Sequence, residues 1–346
     1  MAGAAAATSL TQSWESRCVP MTPPPALVRS VRIFWHWQWL QLMGGLAPAD
    51  AQGHYRRPEG AYTALPPLPS DAAAAGTYGL IVGRSCPWAH RAWLVWTLRG
   101  LGTSVRLLMV EPDPEAGRWR FPEPFLGCSS LAELYRRSGG NHQARATVPV
   151  VVHLDSGQIL VNESARVIEL LNRWPAAASA PDLEPPAALE AIAAWREMFQ
   201  GAVNDGVYRC GFARSQSAYD ADQAALFAAL EEADQALLRQ EQAGSHWLCS
   251  AEVPTLADVV LFPTLIRWEM VYAPLFGCSQ RPLWQLPALW RWRSRFFALP
   301  GVAATCSAAD WRQDYFGALF PLHPSGLVPA GPDLATLIHS TPPTLP

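Results

Sequence analysis

The stretch Ile81-Val-Gly-Arg-Ser-Cys-Pro-Trp-Ala-His-Arg-Ala-Trp-Leu-Val-Trp-Thr-Leu98 decides the fold. The apolar run from Tyr78 to Val82 reads as a buried strand, Gly83 to Ser85 as a short turn, and Pro87 opens a segment in which Ala92, Val95 and Trp96 recur at helical spacing. Proline suits the first helical position, because the amide hydrogen it lacks would have had no partner there. Cys86 therefore stands at a helix mouth. First-turn amides and the positive end of the helix dipole favour an anion at that place, so this reading predicts a thiol drawn toward thiolate at neutral pH. Ala89 follows two residues after Pro87, so the dithiol Cys-x-x-Cys is absent. A lone activated thiol cannot resolve its own disulfide and needs an external thiol, for which glutathione is the abundant candidate. By itself a Cys at a helix start is as well explained by packing; strand, turn, Cys-Pro and helix together favour the reactive reading.

Working outward, Gly100-Leu-Gly102 is a helix stop and Ser104 to Val110 a second strand. Strand, helix and strand within about 33 residues predict a crossover joining a parallel pair. A Pro-rich loop holds Arg118-Trp-Arg-Phe121, and Leu131 to Arg137 is a short helix. Ala146 to Asp155 reads as a strand with Pro149 near its start, and Gln158 to Val161 as its return. A proline opening an apolar strand belongs to an edge or to a cis peptide. In a thioredoxin-type sheet the backbone before it stays unpaired, so at Val148-Pro149 a peptide-like ligand can add as an antiparallel strand. The helix Asn162 to Leu171 follows. Glu163 and Ser164 at its entrance are either simple caps or a grip on the amino and carboxylate ends of a γ-glutamyl group.

These elements divide the chain. Residues 1–54 form an N-terminal extension, partly disordered, residues 55–175 a thioredoxin-like domain, residues 176–187 an Ala/Pro-rich linker, residues 188–332 a helical domain and residues 333–346 a tail. Helices are predicted over 188–202, 216–240, 257–272 and 287–298. The fold class is α/β plus all-α. In the extension, Trp35, Trp37 and Trp39 alternate at a strand-like period, although the continuation Gln41 to Leu46 does not read as a strand. The segment is taken as a lead pinned to the main body, with Pro58 to Pro69 as connector. Thr255-Leu-Ala-Asp258 has the form of a helix cap, so Asp258 is structural. Arg291, Arg293 and Arg295 among tryptophans read as a solvated face.

Half of the residues are apolar and 16% are charged, the composition of a globular chain. A net charge of −3 gives no general attraction to nucleic acid. Seven widely spaced cysteines favour a reducing compartment over a disulfide framework, and a cytoplasmic location. Cys249 and Cys278 flank a helical stretch without partnering His/Cys pairs, so no metal is expected. The longest nearly uncharged apolar stretch is short of the roughly 20 residues that span a membrane. Residues 1–30 lack the apolar core of a signal peptide and read as a disordered tail or a transit peptide.

Four separated segments resemble the glutathione transferase superfamily, and within it the xi class of glutathionyl-hydroquinone reductases. They are Ser85-Cys-Pro-Trp-Ala-His-Arg91, Ala146-Thr-Val-Pro149 with Asn162-Glu-Ser164, Asn204-Asp-Gly-Val-Tyr-Arg-Cys-Gly-Phe-Ala213, and Thr264-Leu-Ile-Arg-Trp-Glu-Met-Val-Tyr272. A weaker fifth is Asp314-Tyr-Phe316 leading to His323-Pro324 and Val328 to Pro332. The resemblance implies that Cys86 is the nucleophile and that Trp119, Val148, Pro149, Glu163 and Ser164 hold glutathione. It also implies that Tyr208, Tyr272 and Tyr315 project toward the thiol from the helical domain and that the protein is a homodimer. The chain departs from the family pattern where Arg118 separates Gly117 from Trp119, and where Asp314-Tyr-Phe316 replaces His-Tyr-Tyr.

The implied activity is removal of glutathione from glutathionyl-hydroquinones, glutathionylated aromatic small molecules, through a Cys86–glutathione mixed disulfide, with a further glutathione as co-substrate and with hydroquinone and oxidised glutathione released. An omega-like thiol transferase or dehydroascorbate reductase is the nearest alternative. A binding protein that grips glutathione or an aromatic ligand without turnover is the alternative of another class.

Overall fold

The computed structural model describes residues 22–58, 60–69, 76–139, 145–249, 252–319 and 326–340. The readings of residues 1–21 and of His323-Pro324 lie outside them. The chain forms two compact units, Met1–Leu46 and Ala47–Pro346. In the first, α1 (Pro25–Leu46) is a helix, not the strand that alternating tryptophans suggest. Pro25 starts it at the favoured first position, and no breaker intervenes before Gly44-Gly45. Ile33, Phe34, Trp35 and Trp37 on it are exposed.

In the second unit the first half runs β1 (Tyr78–Gly83), α2 (Pro87–Leu98), β2 (Val105–Asp113), β3 (Arg118–Phe125), β4 (Cys128–Ser130), α3 (Leu131–Arg137), β5 (Val150–His153), β6 (Ile159–Val161) and α4 (Ser164–Asn172). The sheet order is β4-β3-β2-β1-β5-β6, with β1 and β2 parallel and the other pairs antiparallel. Leu80, Ile81 and Val82 are fully buried, as a central strand covered on both faces requires. Gly100 follows the end of α2 at φ 64°, a left-handed turn that glycine adopts without strain. Ser130 and Glu133 form the capping box of α3.

The loop expected around Arg118-Trp-Arg-Phe121 is instead β3. Most of its side chains are exposed, so no apolar alternation marks it in the sequence. Pro122 and Pro124 lie where its pairing with β4 shifts register, a place where a missing amide is tolerated. The strand is fixed by Arg118 and Arg120 opposite Asp113 and Glu111, with an Arg120–Glu111 ion pair at 2.9 Å. The next strand begins at Val150, not Ala146, because the Val148-Pro149 peptide is cis and Pro149 has no amide to pair.

The second half contains α5 (Leu189–Met198), α6 (Gly206–Phe212), α7 (Gln216–Gln242), α8 (Leu256–Ile266), α9 (Ala273–Phe276), α10 (Pro287–Phe297), α11 (Ala308–Arg312) and α12 (Leu334–His339). Among the described residues three π-helical segments interrupt them: Phe199–Asn204, Trp268–Tyr272 and Gln313–Leu319. The predicted helices over 188–202 and 257–272 are thus each an α-helix continued by a π segment. The architecture is a thioredoxin-like sheet domain followed by an all-helical domain. Helix α2 packs on β1, α4 and α8, and so carries Cys86 to the place where sheet and helices meet.

Asp258 is the cap expected of it: Oδ2 accepts from the Thr255 amide at 2.8 Å, and Oδ1 accepts from Trp292 Nε1 at 2.9 Å and from the Leu248 amide at 3.2 Å. The arginine face is only partly solvated. Arg291 and Arg295 share Glu241, but Arg293 is completely buried and ion-paired with Glu269 at 2.7 Å. Leu256–Phe276, at 21 residues, is long and apolar enough to cross a membrane by length and composition, longer than the sequence reading allowed. Its most apolar window is 78% buried, which makes it the core of the helical half.

Candidate active site

Cys86 is the residue immediately before α2, with extended backbone (φ −73°, ψ 115°) and Pro87 as the first helical residue. Its Sγ lies 3.6 Å from the Val148 carbonyl oxygen, on the backbone just ahead of the cis bond. The residue is half-buried. The thiol departs from the sequence reading in one respect. Desolvation raises its pKa above the ordinary value, and this outweighs the Ala89 and Trp88 amides and the Arg267 and Arg57 guanidinium groups, which pull the other way. The helix mouth therefore acts in the predicted direction, but burial wins in the free protein.

Of the residues expected to hold glutathione, Val148 and Trp119 lie against the thiol turn, from opposite sides of β1. Trp119, on β3, covers Gly83: a Cβ there would stand 2.6 Å from the indole Cζ3. Gly83 lies three residues before Cys86, so the inserted Arg118 does not take the ring away from the thiol turn. Glu163 precedes α4 but makes no capping hydrogen bond. Its Oε1 instead accepts from Ser164 Oγ at 3.4 Å and lies 3.6 Å from Arg57 Nη2. Ser164 itself is buried. Glu163 therefore does not cap the helix, and its carboxylate is shared by Ser164 and Arg57.

On the helical side, the Tyr208 and Tyr315 hydroxyls are 2.6 Å apart. The Tyr272 ring stands edge-on to both, with centroids at 6.0 and 6.2 Å. All three are buried, and burial pushes their hydroxyls above the usual tyrosine range, those of Tyr208 and Tyr315 well above it. They are neutral donors at any working pH. Tyr272 ends one π segment and Tyr315 lies in another, and Tyr208 begins four residues after the third. The wider π turn occurs often at functional sites, where it re-aims side chains inward.

Four residues escaped the sequence reading. Trp88 stacks on Tyr208 at 6.1 Å, and the guanidinium groups of Arg57 and Arg91 lie 3.8 and 4.5 Å from its ring centroid. Arg91 is buried and donates to Gln200 Oε1 at 2.9 Å. Pro87, Trp88, Arg91, Asn204, Pro263 and Thr264 surround a crevice too narrow to admit a water molecule. Arg267 is fully buried behind the thiol turn. The available signal was charge: Arg91 and Arg267 are arginines in otherwise apolar helical runs. Among the described residues no three His, Cys, Asp or Glu side chains converge as a metal set. Cys278 lies against Cys210 and the Val207 carbonyl, and not in a site with Cys249.

A solitary cysteine at the first turn of a thioredoxin-type helix, a cis-proline backbone beside it and a tyrosine wall from an all-helical domain define the glutathione-transferase type of protein. Family models agree: residues 85–174 match the glutathione S-transferase N-terminal domain and residues 216–295 the C-terminal domain. The chain belongs to the glutathione transferase superfamily, in its xi class of glutathionyl-hydroquinone reductases. It is 32% identical over 265 residues to glutathionyl-hydroquinone reductase YqjG of Escherichia coli, covering 74% of this chain and 79% of that one. With glutathionyl-hydroquinone reductase PcpF of Sphingobium chlorophenolicum it shares 30% identity, covering 74% and 83%. The glutathione-bound structure of YqjG superposes with a TM-score of 0.67 over 74% of this chain and 86% of that one, at 31% identity. The xi glutathione transferase of Phanerochaete chrysosporium gives 0.73 over 82% and 94%, at 28% identity.

Proposed function

We propose that this protein is a glutathione-dependent reductase of glutathionyl-hydroquinones. The observation that carries the reading is Cys86 beside the Val148 carbonyl, close enough to Tyr208 for their charges to interact, with the Tyr208 hydroxyl paired to that of Tyr315. The Cys86 thiolate attacks the glutathione sulfur of the adduct. A sulfur–sulfur bond forms, the aryl carbon–sulfur bond breaks, and its electron pair goes to the aromatic carbon, which takes a proton. Tyr208, Tyr272 or Tyr315 supplies that proton or steadies the ketone tautomer. A second glutathione thiolate then attacks the mixed disulfide, releasing oxidised glutathione and restoring Cys86. The aromatic carbon gains the two electrons that the two glutathione sulfurs lose.

In this reading the backbone at Val148 and Pro149 pairs with the glutathione cysteinyl unit. Glu163 and Ser164 take its γ-glutamyl end, and Trp119 flanks the tripeptide. The glutathione-bound YqjG structure and the uncapped Glu163 carboxylate support this assignment. A homodimer in a reducing, cytoplasmic setting completes the proposal, with light scattering after size exclusion as the test of assembly.

Rates on glutathionyl-menadiol, dehydroascorbate and hydroxyethyl disulfide, measured side by side, decide the substrate. The reading predicts a kcat/KM for the hydroquinone adduct at least tenfold above the other two. A preference for dehydroascorbate or the disulfide would assign the omega-like activity instead, and no turnover of any would leave a binding protein.

A further inference from the structure

Arg267 is fully buried, yet among the described residues no carboxylate lies within ion-pair distance of it. The other fully buried arginine of this helical core, Arg293, is held by Glu269 at 2.7 Å. All the partners of Arg267 are neutral acceptors. Nη1 donates to the Pro263 carbonyl at 2.9 Å and to His90 Nδ1 at 2.8 Å, and Nη2 donates to the Arg84 carbonyl at 3.2 Å. The guanidinium stacks on Trp311 at 4.2 Å, and Trp311 Nε1 donates to the same Arg84 carbonyl at 3.1 Å. Nε is buried without a partner.

A buried cation without a counter-anion is costly, because the protein interior replaces little of the hydration it loses. His90 cannot share or add to the charge. Its Nδ1 accepts from Arg267, its Nε2 donates to Thr305 Oγ1 at 2.7 Å, and Thr305 Oγ1 in turn donates to the Val302 carbonyl at 2.7 Å. The ring is consequently a neutral spacer, and burial and Arg267 both hold it so. Arg84 and His90 bracket Cys86 in sequence, so Arg267 is tied to the thiol turn from both sides.

We propose that Arg267 is the resident counter-charge of the active site: a positioning residue that holds the Arg84–His90 turn and balances the Cys86 thiolate when it forms. The proposal rests on Cys86 being the reacting group. The other charged and titratable groups facing the sulfur are Arg57 from the segment preceding β1, Tyr208 from α6 and Tyr272 from the π segment after α8. Asp314 approaches Ser85 at the back of the turn. The tyrosines stay neutral, and Arg57 is partly solvent-exposed and already engaged with Glu163. The unshared positive charge is that of Arg267.

Alkylation of Cys86 by iodoacetamide, followed against pH by peptide mass spectrometry, tests this without any hydroquinone substrate. Arg267→Met is expected to move the midpoint up by about one pH unit, leaving about tenfold less thiolate at a given pH. Arg267→Lys is expected to restore most of it. A wild-type midpoint in a folded Arg267→Met protein would overturn the proposal, whether or not the reductase reading stands. Should the neutral variant not fold, the unmutated protein decides. Salt between about 0.05 and 1 M screens exposed charges but not buried ones. An unchanged midpoint supports Arg267, and a midpoint that climbs with salt assigns the effect to Arg57 and removes it from Arg267.

Discussion

The Tyr208 and Tyr315 hydroxyls lie 2.6 Å apart, joined across 107 residues of sequence and buried against Tyr272 and Phe276. In such a pair one hydroxyl donates to the other, so a single proton remains to be turned outward, and the two act as one donor. Burial keeps both neutral.

If the pair is the proton source, Tyr208→Phe and Tyr315→Phe should each lower kcat by about 100-fold. The double variant should be little worse than either single one, because removing one member already breaks the unit. Alkylation of Cys86 should be unaffected. Steady-state kinetics on glutathionyl-menadiol checks all three, and additive losses would show that the hydroxyls act separately.

Gly83 carries a different prediction. A methyl group there would meet the Trp119 ring at 2.6 to 2.7 Å, too close to be tolerated. Gly83→Ala should displace the indole, lower stability by about 1–3 kcal/mol and raise the KM for glutathione. Denaturant unfolding and glutathione saturation curves measure the two effects, and unchanged values for both would place Trp119 elsewhere in solution.

Asp314 stands where the family pattern has histidine, and burial raises its pKa from 3.8 to about 6. The folded state thus binds this proton more tightly than the unfolded chain does. The stabilisation is complete below pH 3.8 and is lost as pH rises through about 6. Asp314→Asn should accordingly melt at a higher temperature than the parent at pH 7.5, with the difference vanishing near pH 4. The opposite ordering at pH 7.5 would mean that the carboxylate is stabilised as the anion.

For Asp258 the account is purely structural: its two oxygens satisfy the Thr255 and Leu248 amides and the Trp292 indole within the core. Asp258→Ala leaves those donors unpaired and should cost about 2–4 kcal/mol. The kcat of whatever protein remains folded should not change. A large fall in kcat at unaltered stability would instead place Asp258 in the chemistry.

What the sequence disclosed follows from the range over which each signal acts. The β1–α2–β2 unit was legible because its strand, turn and helix signals are local and strong: Gly100, Pro87 and an unbroken apolar run. The strand β3 was not, because its exposed arginines and two prolines carry no alternation, and pairing with β2 alone makes it a strand. Helix α6, which carries Tyr208, is short and contains Gly206 and Gly211, poor helix formers; Gly211 is needed because Phe276 packs against it. At the site, Cys86, Val148, Glu163 and the tyrosines could be named from motifs. Trp88 and Arg267 lie inside those motifs and Arg57 outside them, but no role could be given to any of the three, since their roles arise from contacts made across the whole chain. The thiol shows the same limit. Helix position is local and readable, but the desolvation that raises its pKa depends on everything packed around it.

The central claim is that one sulfur accepts the glutathionyl group. The most direct test is mass spectrometry of the protein exposed to stoichiometric glutathionyl-menadiol without free glutathione. The account predicts a single added glutathione, located on Cys86, released by subsequent glutathione, and absent in Cys86→Ser. An adduct on another cysteine, or full glutathione-dependent turnover by Cys86→Ser, would contradict it.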